Sequence, residues 1–444
     1  MKNVVNEIIS PLTYILNQSL SNGKVPDKMK IAKVVQIFKK GHKESLNNYR
    51  PIPLLTTISK ILERLVYKRT LKFLIDYNIL SNSQFGFRKQ HSTTHALLTF
   101  VDKVAHAIDN FEHTIGVFLD FSKAFDTINH EILLYKLNHY GIRGRALEWF
   151  KDYLTNRKQF VNIKGHDSQY KLISCGVPQG SLLGPLLFIL YINDLQNSSH
   201  ILSFICFADD TNLFLSHRNP NTLINQLNNE LKFVQSWIHA NKLSLNIDKT
   251  HYMIFSNSLN VLPGNVKINN IDLTQVESTK FLGLHIDEDL SWKTHISYLN
   301  TILSRNTGIL NKLKQFFPDH ILNSIYSTLI SPYLSYGILA WGNTTHLLLD
   351  SLFRIQKRAI RIINHAEYLS HTNHLFHQNK ILTLPDLFYY NLGIFMYKLS
   401  ANELPTIFLH MFQRNRSARF IVTRLARGTL IIFHILVPSL RRKQ

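Results

Sequence analysis

The sequence predicts an α+β fold in which a region of mixed helices and strands is followed by a region that is mainly helical. Short runs of β-branched and aromatic residues occupy 115–120, 203–207 and 211–214, and this composition is typical of buried strands. The segments 58–77 and 93–111 instead carry apolar residues at helical spacing. Beyond Asp289 the helical spacing continues almost throughout, so we place a domain boundary near residue 288.

Glycine and proline divide the first region into its elements. Gly141 is expected to end a helix, because glycine readily takes the left-handed conformation that closes one. A loop at 176–180 leads into a segment so apolar that we expect a buried helix. The predicted strands are 31–38, 115–120, 160–163, a hairpin around Asp209, 250–255 and 281–286; the predicted helices are 58–77, 93–111, one through Leu133, 146–154, 182–195 and 223–240. We expect no further strand-rich region after Asp289.

The composition is that of a globular protein with a strong positive charge. Of 444 residues 45% are hydrophobic, and 50 Lys and Arg against 29 Asp and Glu give a net charge of +21. This balance favours a polyanionic partner, although scattered surface lysines would also produce it. The only cysteines, Cys175 and Cys206, favour a reducing intracellular compartment. No secretory signal follows Met1, and the longest apolar stretch, 182–192, is too short to span a bilayer, so we expect no membrane partner.

The most informative motif is Phe207-Ala208-Asp209-Asp210, which places two carboxylates at the tip of a predicted hairpin. Asp120 ends another predicted strand, and two carboxylates at one sheet edge repel each other unless a cation neutralises them. Two Mg²⁺ ions held there could clamp a triphosphate and activate an attacking hydroxyl, which is nucleotidyl transfer. Successive strand side chains face opposite ways, so we expect Asp209 to bridge the ions and Asp210 to be accessory. An ordinary solvated turn is the alternative interpretation of the doublet alone.

Several other positions could bind a nucleotide. Lys249 is a candidate proton donor to pyrophosphate, although most single lysines only solvate a surface. Arg50 could grip a phosphate with its planar guanidinium, or form a surface salt bridge. Gly180 would allow the backbone to approach a ligand, and Gln179 could offer an amide donor. A plain junction between loop and helix is the alternative for these two residues.

Seven ordered blocks resemble the reverse transcriptases of non-LTR (LINE-type) retrotransposons, in particular the jockey-like group. The resemblance runs from about residue 10 to the basic helix near residue 360, which makes chance similarity very improbable. The blocks are NYRPIPLL at 48–55, QFGFRKQHST at 84–93, FLDFSKAFDTINH at 118–130, GVPQGSLLGPLLFILYINDL at 176–195, FADDTNLF at 207–214, LSLNIDKT at 243–250 and FLGLHID at 281–287.

This resemblance implies a right-hand polymerase fold with fingers, palm and thumb. The expected division is fingers and palm at 1–288, a helical thumb and basic helix at 289–365, and a partly disordered C-terminal extension at 366–444 that the resemblance matches poorly. It also implies two Mg²⁺ ions, with Mn²⁺ as a substitute, an RNA template, a DNA primer and deoxynucleoside triphosphates. The matched site residues are the catalytic and metal-binding acids Asp120, Asp209 and Asp210, the metal-binding carbonyl of Phe121, Lys249, Arg50, Gln179 with Gly180, the sugar-discriminating Phe125, and Phe281, Leu282 and Gly283 as a primer-grip turn.

The resemblance also limits what is expected of this chain. The family's upstream endonuclease does not precede the first block, no cysteine-rich module is present, and the last thirty or so residues match nothing, so autonomous transposition is not expected. A catalytically silent nucleic-acid-binding remnant is the alternative from another functional class. An RNA-dependent RNA polymerase is disfavoured by Phe125. A nuclear or cytoplasmic location is expected, and the sequence leaves the oligomeric state open.

Overall fold

The structure of the chain is a computed structural model. It describes residues 5–163, 165–178, 180–256, 264–409, 413–414, 420–425 and 429–434. Its helices are α1 (Val5–Asn22), α2 (Thr57–Asp76), α3 (Thr93–Asp109), α4 (His130–His139), α5 (Gly144–Leu154), α6 (Gly184–Tyr191), α7 (Pro220–Ala240), α8 (Lys293–Leu313), α9 (Asp319–Leu329), α10 (Ser331–Ser335), α11 (Ile338–Trp341), α12 (His346–Ile363), α13 (Asn373–Gln378) and α14 (Leu384–Ser400).

The strands lie mainly in the first 290 residues. They are β1 (Ile31–Phe38), β2 (Tyr49–Leu54), β3 (His113–Leu119), β4 (Lys158–Ile163), β5 (His166–Asp167), β6 (Lys171–Leu172), β7 (Ser203–Phe207), β8 (Asp210–His217), β9 (His251–Phe255), β10 (Lys267–Ile268), β11 (Ile271–Asp272), β12 (Thr274–Gln275), β13 (Ser278–Phe281), β14 (Leu284–Asp287), β15 (Gln413–Arg414), β16 (Phe420–Leu425) and β17 (Thr429–His434). The predicted α+β class, with an antiparallel sheet followed by an α-rich region, is confirmed. The division into three domains stays a prediction.

The central sheet has the strand order β12-β9-β3-β8-β7. Its middle strand β3 is antiparallel to both β8 and β9, and almost every residue of β3 is buried. Successive side chains of a strand point to opposite faces, and the two faces of β3 contribute to two separate cores. Ile115 and Val117 pack into one core with α4–α7, whereas Phe118 packs into the other with α3 and the C-terminal helices. Both faces of the central sheet are therefore covered by apolar packing, and polar groups are placed at the edge of the sheet.

A second sheet has the order β2-β1-β4-β5, with β6 beside β4. Its strand β1 is antiparallel to β2 and parallel to β4. The backbone of Gly180 touches this sheet, because a Cβ added at Gly180 would overlap the carbonyl oxygen of Pro53 on β2. Glycine at position 180 thus permits a close approach between the loop before α6 and the second sheet.

Two expectations about strands are wrong. The predicted strand 281–286 is interrupted by a tight turn, since Leu282 and Gly283 have φ values of 45° and 88° and connect β13 to β14. Extended backbone cannot contain two such residues in succession. Strands also occur after Asp289, because β15, β16 and β17 form an antiparallel sheet. The last two are rich in β-branched residues, which favour strands. Within the described ranges, no helix is long and apolar enough to cross a membrane.

Candidate active site

Three carboxylates meet at one edge of the central sheet. Leu119, the last residue of β3, pairs with Thr211 on β8, so the next residues outward, Asp120 and Asp210, leave the sheet side by side. Asp209 lies in the two-residue connection between β7 and β8. The residues on either side of this connection, Phe207 and Asp210, pair with each other. The fold therefore brings together acids that lie far apart in sequence, as the strand pattern predicted.

The pKa values of the doublet show that these acids share one electrostatic environment. Burial raises the pKa of Asp209; Asp120 raises it further, whereas a hydrogen bond from its own backbone amide and the charge of Arg50 oppose the increase. Burial raises the pKa of Asp210 to about 6, with further contributions from Asp209 and Asp120. Negative charge is thus concentrated at this edge. A cation would stabilise all three ionised carboxylates.

Lys249 lies within the same cluster. Its Nζ is 3.6 Å from Oδ2 of Asp120, and both side chains are substantially exposed. The segment before Lys249 is hydrogen-bonded to the residues that follow β3. The amide of Asn246 donates to the carbonyl of Asp120 at 2.8 Å, and the amide of Ser122 donates to the carbonyl of Ser244 at 2.8 Å. Backbone pairing therefore fixes where Lys249 stands relative to the acids.

Phe121 and Phe125 follow Asp120 and have different surroundings. Phe121 is buried and bridges to Leu245. That bridge is made by hydrogen bonds of the neighbouring residues, so it does not use the Phe121 carbonyl. The ring of Phe125 is half-buried and stacks on Phe188 of α6, with ring centroids 4.5 Å apart. The amide of Val177 donates to the Phe125 carbonyl at 2.8 Å, which attaches the backbone of Phe125 to the loop before α6.

The other nucleotide-binding candidates approach from the second sheet. Arg50 is exposed on β2, and its charge lowers the pKa of Asp209. Gly180 lies against β2 at Pro53. Gln179 lies outside the described residues.

The residues Phe281, Leu282 and Gly283 form the turn between β13 and β14. Phe281 is buried in the core that contains Phe118 and α3, and its ring centroid lies 5.7 Å from that of Phe100. The hydroxyl of Tyr336 donates to the carbonyl of Leu282 at 2.6 Å. Tyr336 lies between α10 and α11, so this turn is attached to the α-rich region.

The side chains present are suited to Mg²⁺ that is bound jointly with a substrate. Over the described ranges, no group of three or more His, Cys, Asp and Glu side chains could hold a metal ion by itself. Mg²⁺, however, is typically bound by one or two protein carboxylates together with substrate phosphates and water. Burial and the neighbouring acids raise the pKa values of Asp209 and Asp210, and a bound cation would lower both values.

A family model described as reverse transcriptase (RNA-dependent DNA polymerase) matches residues 37–286. This span covers more than half of the chain and includes Asp120, Asp209 and Asp210. The chain belongs to the reverse transcriptase family. Its predicted resemblance to the jockey-like enzymes of non-LTR elements is confirmed.

Two relatives within the reverse transcriptase family come from mobile elements of Drosophila melanogaster. The RNA-directed DNA polymerase from mobile element jockey of Drosophila melanogaster is 28% identical over 84% of this chain and 42% of that protein. The probable RNA-directed DNA polymerase from transposon X-element of the same species is 27% identical over 87% of this chain and 43% of that protein. The chain thus spans less than half the length of these curated relatives.

Among solved structures, telomerases are similar to this chain at low sequence identity. Apo telomerase from Candida tropicalis has a TM-score of 0.46 and 13% identity, covering 86% of this chain and 68% of that one. Telomerase from Candida albicans with a fragment of telomeric RNA has a TM-score of 0.45 and 13% identity, covering 83% and 68%.

One residue that the sequence analysis did not select contacts the acid-bearing turn directly. The side chain of Gln84 accepts a hydrogen bond from the amide of Ala208 at 3.0 Å. Gln84 begins the block QFGFRKQHST, which was used only to recognise the family. A single polar residue in a loop gives no local signal of such a long-range contact.

Proposed function

We propose that this chain is an RNA-directed DNA polymerase of a non-LTR retrotransposon, which adds deoxynucleotides to a DNA primer on an RNA template. The observation that supports this best is the register of the central sheet, which brings Asp120 beside the doublet Asp209 and Asp210 within the region matched by the family. The same activity is named for the jockey relative.

Asp120, Asp209 and Asp210 would hold divalent metal, with Asp209 as the bridging ligand, Asp210 as an accessory ligand and Asp120 beside them. The Phe121 carbonyl is proposed as a further ligand. Two Mg²⁺ ions, or Mn²⁺ in their place, would supply activation of the primer hydroxyl and charge compensation on the leaving pyrophosphate. Asp209 and Asp210, whose pKa values burial raises, act as ionised carboxylates in this scheme, so activity requires a pH at which both are deprotonated.

Lys249 is proposed to deliver a proton to the departing pyrophosphate. In the structure its Nζ lies near Asp120, and a bound triphosphate would compete for this ammonium group. Arg50 would bind the triphosphate through its guanidinium. Gln179 and Gly180 would border the incoming nucleotide.

Phe125 is proposed to exclude ribonucleotides. Its stacking on Phe188 limits the movement of the ring, so a 2′-hydroxyl would collide with it rather than displace it. Replacing Phe125 with Ala or Val should admit ribonucleotides, and unchanged sugar discrimination would contradict this role.

The primer end is proposed to contact the turn Phe281-Leu282-Gly283. Basic side chains of α12, among them the exposed Arg354 and Arg358, would bind the template backbone, and such contacts weaken with added salt. An intracellular location, in the nucleus or the cytoplasm, follows if the enzyme uses cellular RNA and chromosomal DNA.

The decisive experiment measures Mg²⁺-dependent extension of a DNA primer on an RNA template by the parent chain and by Asp209→Asn. We expect extension by the parent and its loss in the variant. Absence of extension by a folded, RNA-binding parent would instead favour the catalytically silent remnant.

A further inference from the structure

The turn that carries Asp209 contains a residue in an unfavourable backbone conformation. Ala208 has a φ of 55°, in the left-handed region that residues with a Cβ rarely occupy. Such a conformation persists only when the surrounding structure imposes it. The contacts of Ala208 therefore determine the direction in which the next residue, Asp209, leaves the sheet.

Gln84 supplies the polar contact to this turn. Its Oε1 accepts hydrogen bonds from the amide of Ala208 at 3.0 Å and from the amide of Gly86 at 2.8 Å. The side chain is only 3% exposed, so little water is available to replace it as acceptor. Removing this oxygen would take the acceptor away from the buried amides of Ala208 and Gly86, and a buried donor that loses its acceptor destabilises the fold.

The segment that carries Gln84 is itself fixed to the sheet. The amide of Cys206 donates to Ser83 at 2.8 Å, and the amide of Phe85 donates to Cys206 at 2.8 Å, so this segment pairs in parallel with β7. Arg88 donates to the carbonyl of Gln84 at 3.1 Å. Gly86 lies directly against the turn, since a Cβ at Gly86 would overlap the amide nitrogen of Ala208. The accepting oxygen thus has a rigid support.

We propose that Gln84 is a positioning residue for polymerisation: by holding the Ala208 amide, it sets the orientation of Asp209 for metal binding. The proposal rests on the proposed function for its kinetic consequence. The structural consequence, a turn fixed by Gln84, can be measured without any activity.

The test compares Gln84→Met with Gln356→Met in the full chain. Methionine preserves length and packing volume but removes the accepting oxygen. Gln356 is a matched control because it is 1% exposed and its Oε1 accepts from the amide of Leu384 at 2.8 Å, within the α-rich region. Both variants lose a buried oxygen that accepts from a backbone amide, and Gln356→Met also loses the bonds that Nε2 donates to Tyr326 and to the carbonyl of Leu382. The control is therefore at least as disruptive locally, but only the loss at Gln84 affects the turn.

Two quantities are measured for each folded variant. Hydrogen exchange of the backbone amides in 203–214, without metal or substrate, reports on the turn. Primer extension over a range of Mg²⁺ and nucleotide concentrations separates kcat, the nucleotide KM and the Mg²⁺ concentration at half-maximal rate. For Gln84→Met we expect faster exchange, a kcat lower by roughly 10- to 100-fold, a higher Mg²⁺ requirement and little change in the nucleotide KM. Gln356→Met should leave both the exchange and the Mg²⁺ requirement at the parental level.

Exchange in Gln84→Met equal to that of the parent would overturn the proposal. So would an unchanged Mg²⁺ requirement in a variant whose turn exchanges faster. If the parent itself shows no extension, the proposed function fails, and the exchange comparison alone decides whether Gln84 fixes the turn.

A second variant covers the case in which Gln84→Met does not fold. Gln84→Glu retains an oxygen that can accept from Ala208 and Gly86. At a pH where the buried glutamate is protonated it adds no charge beside Asp209, so there the turn should exchange as slowly as in the parent at the same pH. Faster exchange in a folded Gln84→Glu chain would contradict the assigned contact.

Discussion

Two tight turns, Ala208-Asp209 and Leu282-Gly283, both begin with a residue in the left-handed conformation but are held in different ways. Each connects two antiparallel strands, and each begins with a non-glycine residue of positive φ, 55° at Ala208 and 45° at Leu282. A buried amide side chain from Gln84 holds the first turn, whereas the hydroxyl of Tyr336, which is 40% exposed, holds the second. The first turn is therefore fixed by a buried contact, and the second depends on the packing of the α-rich region.

The largest effect should come from Gly86→Ala at the first turn. The new Cβ would overlap a backbone nitrogen that cannot rotate away, and overpacking of this kind typically costs about 1–3 kcal/mol of unfolding free energy. We expect a loss of unfolding free energy at the upper end of this range, measured by denaturant unfolding. We also expect loss of primer extension, measured by a polymerase assay. Gly308→Ala in α8 is the control, because the described structure leaves open space there and alanine favours a helix. Equal effects of both substitutions would contradict the close contact at Gly86.

Gly283→Ala should have a smaller effect at the second turn. Gly283 has a φ of 88°, and a Cβ there would lie 3.1 Å from Cε1 of Tyr336. The left-handed conformation alone costs about 1–2 kcal/mol for alanine. Gly165→Ala, at a φ of 90° in open space, isolates that conformational cost. If thermal unfolding shows the same loss for both variants, the contact with Tyr336 is unimportant.

Tyr336→Phe removes only the hydrogen bond to Leu282. We expect a loss of about 0.5–1.5 kcal/mol in unfolding free energy and faster dissociation of the primer, with the Mg²⁺ requirement unchanged. Primer dissociation can be followed by a trap experiment. A raised Mg²⁺ requirement, like that expected for Gln84→Met, would show that the two turns are not independent.

The smallest effect concerns the charge of the first turn. Burial and the neighbouring acids raise the pKa of Asp210 from 3.8 to about 6. Because the folded form binds the proton more tightly, Asp210 contributes stability that is complete below about pH 4 and is lost as the pH rises through 6. Asp210→Asn should therefore raise the Tm of the metal-free protein at pH 7.5, by the order of one degree. The gain should disappear near pH 4, and a gain that is independent of pH would contradict this assignment.

The sequence predicted the acid edge because its strands carry strong local signals. Asp120 and the doublet each adjoin a run of buried β-prone residues, so strand pairing alone could bring them together. The local pattern predicted the second turn incorrectly as a continuous strand, because Leu282 has no local preference for a turn; only the family resemblance indicated a turn at 281–283. Gln84 was not selected at all, since its role depends on Cys206 and Ala208, which lie more than a hundred residues away. Local sequence preference therefore located the acidic residues, but the contacts that hold the turn between β7 and β8 are long-range.

The central position of β3 has a consequence for synthesis of the chain on the ribosome. β3 pairs with β8 and β9, and roughly 90 residues separate it from β8. At about 5–20 residues per second, the nascent strand waits roughly 5–20 s for its first partner. During that interval the apolar run 115–119 has no sheet to enter, so the growing polypeptide is expected to need chaperone protection until β8 emerges.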